Sequence, residues 1–573
     1  MCLTKKIYRH QNLFLLGYNG HSPRQTKYAI LTIEFLGKKI TGPFTIPSGI
    51  VSTSTTIIDY IFRNIPEIGV VTSKSIGPAP RAGNREPIYS QYAKGCFVNA
   101  VGLTNPGADE SARLFSELVV PDDRFLLISI FGGSVEEYVE VAKKLAPFCD
   151  GLELNLSCPH AKGFGMAMGQ DPELVKEITA QVKAAVSIPV IPKLTPNAPN
   201  LAEITAAAIE GGADAICAIN TVGPGFYSAK GHAVLSNKEG GMSGKGILPI
   251  GLKCVREIAT EISKSSDIPI IGCGGISSAD DVRAYQQAGA SIFGIGSALT
   301  GLTSPQMEAY FTQLSQDMSA DSNIAESMID YDVDMGFQPF TLIENKRITD
   351  DIVILTFDKP LQIEAGEFVF LWIPELGEKP FSALTDDPFS LVVIQLGEFT
   401  SELMKLEPGS VSYVRGPYGI KISPPENAKI LGVAGGTGLA AVHQLARDYK
   451  DVELFLGART KERLYFLDES AACSTLHVAT DDGSEGYKGV VTELLRQRLA
   501  EMSAEELANV YCYNCGPEPM VHAATKVQSE FLPPEQIFSA IDYLTKCGVG
   551  ICGACGSPDG RRLCMDGPFL VSR

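Results

Sequence analysis

The stretch LELNLSCPHAKGFG, Leu152–Gly165, decides how the first half of the chain is read. Its apolar opening, Gly151 to Leu156, has the length of one buried strand and is too short for a helix. The strand ends in a polar loop that brings Asn155, Ser157, Cys158 and His160 together. A thiol among hydrogen-bonding side chains at a strand's C-terminal end stands where an α/β barrel carries its chemistry. The competing reading makes Cys158 one more buried small residue, as free cysteines commonly are. Asn155, Pro159 and the glycine-punctuated loop beside the thiol favour a proton-transfer site.

Outward from that stretch, one theme repeats from about Thr32 to Ala298: an apolar run, a polar or glycine-rich loop, an amphipathic segment. The runs are Phe44–Pro47, Gly69–Thr72, Phe125–Phe131, Gly151–Leu156, Val190–Leu194, Ala213–Ile219, Ile268–Cys273 and Ser291–Ile295. Eight strands alternating with helices predict a (β/α)8 barrel, with a doubly wound open sheet as the alternative. Polar or glycine residues stand at the end of each run: Ser48, Lys74, Ser129, Asn155 with Cys158, Lys193, Asn220 with Thr221, Gly274 with Gly275, and Gly296 with Ser297. Eight loops sharing one mouth would collect them, and the free N–H groups of the last two glycine turns suit a mononucleotide phosphate.

Several motifs then fall in one order: NAVGLTNPG (Asn99–Gly107), LNLSCP (Leu154–Pro159), PKLTPN (Pro192–Asn197), INTVGPG (Ile219–Gly225), NKEGGMSG (Asn237–Gly244) and IIGCGGISSADD (Ile270–Asp281). From about Ile33 to Leu302 the chain resembles the FMN barrel of class 1 dihydroorotate dehydrogenases. The resemblance implies that Cys158 is the base that takes a proton from dihydroorotate C5 while a hydride leaves C6 for the flavin. It implies that Asn99, Asn155, Asn220 and Thr221 hydrogen-bond the pyrimidine, and that Lys74 with the backbone of Val101, Gly102 and Leu103 holds its carboxylate. It places Ser48, Lys74, Ser75, Ser129, Asn155, Lys193, Ile219, Gly244, Gly274, Gly275, Gly296 and Ser297 around FMN, and it implies a homodimer through the barrel. The residue types suit the task independently. Asparagine offers a donor and an acceptor to a ring with alternating C=O and N–H edges, and a lysine stabilises an electron-rich reduced flavin. Lys74 and Lys193 have a plainer alternative, a salt bridge beneath the mouth. Two residues depart from the family pattern: His160, where an asparagine is common and where the related dihydropyrimidine dehydrogenases, which reduce uracil, carry a similar Cys-Pro-His, and Ile88 in place of an arginine.

The totals bound the rest. A chain of 573 residues is expected to form two to four domains. A net charge of −18 argues against nucleic acid and anionic membrane as partners. No apolar run reaches the ~20 residues of a membrane helix, and a cytoplasmic location is expected. Residues 1–30 read as a disordered extension and 31–318 as the barrel. Residues 319–336 (SADSNIAESMIDYDVD at their heart) read as an acidic connector.

From Phe337 the runs shorten and alternate: TLIENKRI, IVILTFD, FVFLWIP, FSLVVIQL and VSYVRG, the pattern of a small antiparallel barrel over 337–425. ILGVAGGTGLAA then gives strand, glycine loop and helix start, followed by further strand–helix units over 426–530. This order resembles the ferredoxin reductase superfamily, most closely the electron-transfer subunit of type B dihydroorotate dehydrogenases. The resemblance assigns Lys379, Pro380, Phe381, Ser382, Thr400 and Gly416 to FAD, and Gly435, Gly436, Gly438, Cys515 and Gly516 to NAD. Lys379 replaces the arginine usual in this motif, which keeps the charge and loses the bidentate fork. Arg459, near the end of the second strand, leaves NADP open as the nucleotide.

Of fourteen cysteines, four crowd into eighteen residues: Cys547, Cys552, Cys555 and Cys564. The spacing C-x4-C-x2-C with a fourth cysteine follows the plant-type [2Fe–2S] pattern, with structural zinc as the alternative, and defines a segment from 531 to 573. Together the halves predict dihydroorotate oxidation with electrons passing FMN → [2Fe–2S] → FAD → NAD+. Two further readings stand beside it: uracil reduction driven by NAD(P)H, and a non-catalytic flavin scaffold that relays electrons.

Overall fold

A computed structural model describes residues 31–156, 168–319, 333–541 and 544–572. Each of the eight apolar runs supplies one strand of a closed parallel barrel: β1 (Phe44–Ile46), β2 (Ile68–Thr72), β3 (Phe125–Ile130), β4 (Gly151–Asn155), β5 (Val190–Leu194), β6 (Ile216–Ala218), β7 (Ile270–Cys273) and β8 (Ile292–Gly294). The strands pair in sequence order and β8 closes on β1, Phe293 opposite Phe44. The pleat explains why the runs are apolar throughout. On β4, Leu152 and Leu154 face the outer helices, while the inner core holds Phe125, Leu127, Ile191, Cys217, Ile271 and Ile292. The open-sheet alternative is thereby excluded.

Over the barrel mouth lies a four-stranded antiparallel sheet whose order is Val222–Phe226, Glu239–Gly244, Cys96–Asn99, Tyr89–Ala93. It carries Asn99 and Gly244 to the rim, with Asn99 opposite Gly241. The helix Ser304–Ser319 ends the barrel's outer ring.

The second half starts with β9 (Gln338–Thr349), β10 (Ile352–Phe357), β11 (Phe368–Ile373), β12 (Gly377–Phe381), β13 (Ala383–Asp386), β14 (Phe389–Ile394) and β15 (Val411–Tyr418). These pair antiparallel in the order β12-β11-β15-β9-β10-β14-β13. The two ends of this order, β12 and β13, are consecutive in the chain and separated by a gap of one residue, Ser382, so that β12 pairs with β11 and β13 with β14.

A mostly parallel sheet follows, from β16 (Lys429–Gly435), β17 (Val452–Ala458), β18 (Thr475–Thr480), β19 (Tyr487–Lys488), β20 (Val510–Cys515), β21 (Ile537–Ala540) and β22 (Leu570–Val571). Its order is β19-β18-β17-β16-β20-β21-β22, with only β22 antiparallel. The strand order reverses beside β16, and such a switch point opens a crevice at the strands' C-terminal ends. The sequence-based division puts β21 in the cysteine-rich segment, yet it pairs with β20 and continues this sheet.

Between β21 and β22 the chain leaves the sheet and lays its cysteine loop on the barrel. The Val51 N–H donates to the Ile551 carbonyl at 2.7 Å, and the Gly301 N–H to that of Val549 at 3.0 Å. The Thr53 hydroxyl donates to the Cys552 carbonyl at 2.6 Å. Arg562, fully buried, bridges Gly550 O and Leu302 O at 3.0 and 2.7 Å. Val51 itself has φ +59°, a conformation costly for a β-branched residue. Gly553 (φ +65°) lies so near that a Cβ on it would stand 2.2 Å from the Val51 carbonyl oxygen. Gly553→Ala is therefore expected to cost about 1–3 kcal/mol in this contact. Hydrogen exchange would read it as faster exchange at both Ile50–Thr53 and Ile551–Cys555. Unchanged exchange on the barrel side would sink the coupling of the two loops.

Candidate active site

The barrel mouth holds an open cavity of about 1170 Å³ including its entrance. Every strand end reaches it except that of β3: Ser48 after β1, Lys74 and Ser75 after β2, Asn155 on β4, Lys193 on β5, Asn220 and Thr221 after β6, Gly274 and Gly275 after β7, Gly296 and Ser297 after β8. The covering sheet and its loops add Asn99, Val101, Gly102, Leu103 and Gly244, and Ile219 completes the expected set on the wall. Ser129, the last of the expected residues, is fully buried near the end of β3, its hydroxyl 2.9 Å from that of the cavity residue Ser75. Ser157, Cys158 and His160 lie outside the described residues.

Hydrogen bonds tie the polar residues into one array. Asn155 donates through Nδ2 to the Ser75 hydroxyl at 2.9 Å, and Ser75 meets Ser48 at 3.1 Å. The Asn220 Nδ2 reaches Asn155 Oδ1 at 3.4 Å while its own Oδ1 accepts the Thr221 N–H at 2.8 Å. The buried Tyr138 hydroxyl donates to the Asn155 carbonyl at 2.8 Å, which fixes the end of β4. Asn99 Nδ2 donates to Gly241 O at 3.1 Å, which leaves its Oδ1 to act as an acceptor.

Lys193 is 5% exposed, with Glu153 Oε1 3.6 Å from its ammonium. Burial works against the charge, but the Glu153 carboxylate below outweighs it and holds the ammonium above lysine's ordinary value. The plainer alternative thus applies to Lys193 without removing it from the cavity: one cation has both a carboxylate beneath and the cavity above. A positive floor, glycine N–H groups at one end and amide side chains at the other fit an isoalloxazine with its phosphate.

Several lining residues escaped the sequence reading, Tyr89 and Ile551 among them. Tyr89 sits in the GNREPIY segment, its hydroxyl 2.8 Å from that of Thr300. Ile551 comes from the cysteine loop, and no local pattern could reveal that a residue so distant in sequence closes this cavity.

At the switch point of the parallel sheet, Gly435, Gly436 and Gly438 meet Cys515 and Gly516. Ala434 pairs with Cys515, and a Cβ on Gly438 would stand 2.0 Å from the Cys515 carbonyl oxygen. That approach aims the helix Gly438–Asp448 at the crevice, N-terminus first, as a pyrophosphate requires. Tyr465 caps the turn by donating to Gly436 O at 2.6 Å.

The expected FAD residues are less gathered. Lys379, Pro380 and Phe381 lie on β12, Ser382 in the gap, and Gly416 on β15. The Thr400 hydroxyl is engaged by its own turn, accepting from Leu396 N–H and Gly397 N–H at 2.8 and 3.1 Å. The ammonium of Lys379 is 2.8 Å from Glu86 of the barrel.

All four late cysteines are buried and stand close together. Cys555 and Cys564 sulfurs are 3.4 Å apart, the Gly550 N–H donates to Cys564 Sγ at 3.3 Å, and the Cys552 N–H points at Cys547 Sγ at 3.5 Å. The neighbouring thiols of Cys552 and Cys564 bond to Cys547 and depress its pKa, making it the readiest thiolate of the set. Backbone donors aimed at sulfur suit thiolates that ligate iron, although the described residues present no ready-made group of three or more metal-ligating side chains. No helix among them is long and apolar enough to cross a membrane.

Residues 30–317 match the family described as "Dihydroorotate dehydrogenase", and residues 433–526 the family described as "Oxidoreductase NAD-binding domain". Among curated proteins, "Dihydroorotate dehydrogenase B (NAD(+)), catalytic subunit" of Methanosarcina mazei is 40% identical over 279 residues, covering 48% of this chain and 87% of that protein. The proteins of the same description from Pyrococcus horikoshii and Methanocaldococcus jannaschii are 42% and 41% identical, covering 47% of this chain each and 86% and 87% of theirs. These relatives account for the barrel half alone. For the crevice, Gly438→Ala is expected to weaken NADH binding by at least about tenfold, since the added methyl blocks helix approach. Fluorescence titration reads this directly, and unaltered NADH affinity would remove the nucleotide from this crevice.

Proposed function

The chain belongs to the dihydroorotate dehydrogenase family through residues 30–317, and from that premise we propose that it oxidises dihydroorotate to orotate and delivers the electrons to NAD+. The observation that carries the proposal is the cavity wall itself. It is shared by the amide array at the barrel mouth and by Ile551 of the cysteine loop. When bound, FMN would accept the hydride and a [2Fe–2S] centre with FAD would carry the electrons on to the nucleotide.

The chain's own residues do the rest. Asn99, Asn155, Asn220 and Thr221 match the C=O and N–H edges of the substrate ring, and the hydrogen bonds among the last three, with that of Asn99 to Gly241, hold them ready before it arrives. The N–H groups of Val101–Leu103 with Lys74 provide the positive end for its carboxylate. Lys193 supplies fixed positive charge under the flavin position, where it favours the reduced ring. Cys158 would take the C5 proton. A thiol of ordinary pKa ≈ 8.5 makes that step faster as pH rises toward it.

In the second half, the gap at Ser382 and the first turn of the helix Glu398–Leu403 would receive FAD, and the crevice between β16 and β20 would receive NAD. Cys547, Cys552, Cys555 and Cys564 would hold the iron. Pyrimidine synthesis and a barrel-mediated homodimer belong to the same proposal.

The test is direct. Purified chain reconstituted with both flavins, iron and sulfide should contain FMN and FAD in equal amounts and reduce NAD+ with dihydroorotate under anaerobic conditions. Cys158→Ala should lower that rate by roughly 10²–10⁴-fold. A chain that binds neither flavin, or that turns over at the parent rate without Cys158, would refute the proposal.

A further inference from the structure

The segment Arg85–Tyr89 of the barrel touches three parts of the molecule. Tyr89 lines the cavity, Arg85 donates to Glu375 O of the turn before β12, and Glu86 lies between the two other modules. Its carboxylate is 5% exposed and holds a lysine on each oxygen. Oε2 is 2.8 Å from Lys379 on β12, and Oε1 is 3.2 Å from Lys546, the residue before Cys547. Lys546 is 8% exposed and donates otherwise to Ala82 O, also of the barrel. Beside them the buried pair Arg415–Glu378 forms two hydrogen bonds of 2.9 and 2.7 Å, so the strand carrying Lys379 is itself rigidly held.

We propose that Lys379 is a docking residue, and that Glu86 clamps Lys379 and Lys546 to lock the reductase half and its cysteine loop onto the barrel. This rests, for its bearing on FAD, on the reading of the second half as an FAD-binding module. Arginine at this motif position would present a fork to a pyrophosphate. Lysine is a point charge, and here a buried carboxylate of another module holds it. Glu86 has opposite charges on both sides and little water. Burial alone would raise its pKa, yet the hydrogen bond and charge of Lys379, with the charge of Lys546, bring it below the ordinary carboxylate value. Losing Glu86 leaves Lys546 buried without a counter-charge, which is far costlier than breaking a surface pair.

The consequence is a separation of effects. In the full chain, Glu86→Gln and Lys379→Met should each speed hydrogen exchange in both 84–90 and 375–381 by about tenfold, with the double variant no worse than either single one. Lys546→Met should do the same for 544–550 and 84–90, a third route should one variant fail to fold. The FAD dissociation constant of Lys379→Met, by flavin fluorescence, should move less than about threefold. Additive exchange effects, or a tenfold or greater loss of FAD with exchange unchanged, would overturn the proposal and return Lys379 to the cofactor. A parent chain that binds no FAD would instead defeat the functional reading and leave the exchange test standing.

Discussion

Val51 is held at positive φ because its N–H must meet the Ile551 carbonyl, and much of the molecule is arranged around that bond. A strained valine persists only where its surroundings over-determine it. Here the Thr53–Cys552 hydrogen bond, the close approach of Gly553 and the Arg562 bridge all act on the same few residues. The loop they fix is the one that presents Ser48, Gly49 and Ile50 to the cavity. A wall of the barrel's site and the bed of the cysteine loop are therefore one piece of backbone, and neither can move without the other.

How legible this was depended on range. The eight barrel strands could be read because both faces of a parallel sheet are buried, so each strand leaves a continuous apolar run. Strand ends were equally legible, which is why the residues just past the runs surround the cavity. Ser129 shares the inward pleat of β3 with Phe125 and Leu127, and its hydroxyl meets that of Ser75 at the cavity wall. Ile551 was beyond reach because its neighbours in sequence are cysteines and glycines whose pattern reports their own site. The Thr400 hydroxyl also satisfies the first turn of its own helix, a demand that local backbone makes and that the motif alone does not reveal.

The charge distribution follows the same division. In a chain of net charge −18, four lysines stand at the cavity and at the junction. Lys74 and Lys193 sit at the barrel mouth, and Lys379 and Lys546 at the junction. Each buried lysine has its carboxylate, Glu153 for Lys193 and Glu86 for Lys546. The pairing differs in consequence. Glu153 lies beneath its lysine and leaves the ammonium's upper side to the cavity, whereas Glu86 lies between two lysines and uses both oxygens.

That difference bears on how modules of one chain choose a single orientation. Separate subunits must gather their interface energy against lost translational and rotational freedom, which argues for a large apolar contact. Tethered modules need only enough contact to choose one orientation, since the linker raises their effective concentration. Polar contacts do this well, because a carboxylate between two lysines tolerates less displacement than an apolar patch. Apolar contact is present as well: the barrel's core continues into Phe368, Phe370 and Tyr418 and into Val549, Ile551 and Leu563 of the cysteine loop, and Val234 joins Phe337 and Trp372. Orientation is then set by the Glu86 clamp on one side and by the Val51–Ile551 bond on the other. Both act on the turns that carry Lys546 and Cys552, either side of the first cysteine, so the cysteine loop meets the cavity in one register only.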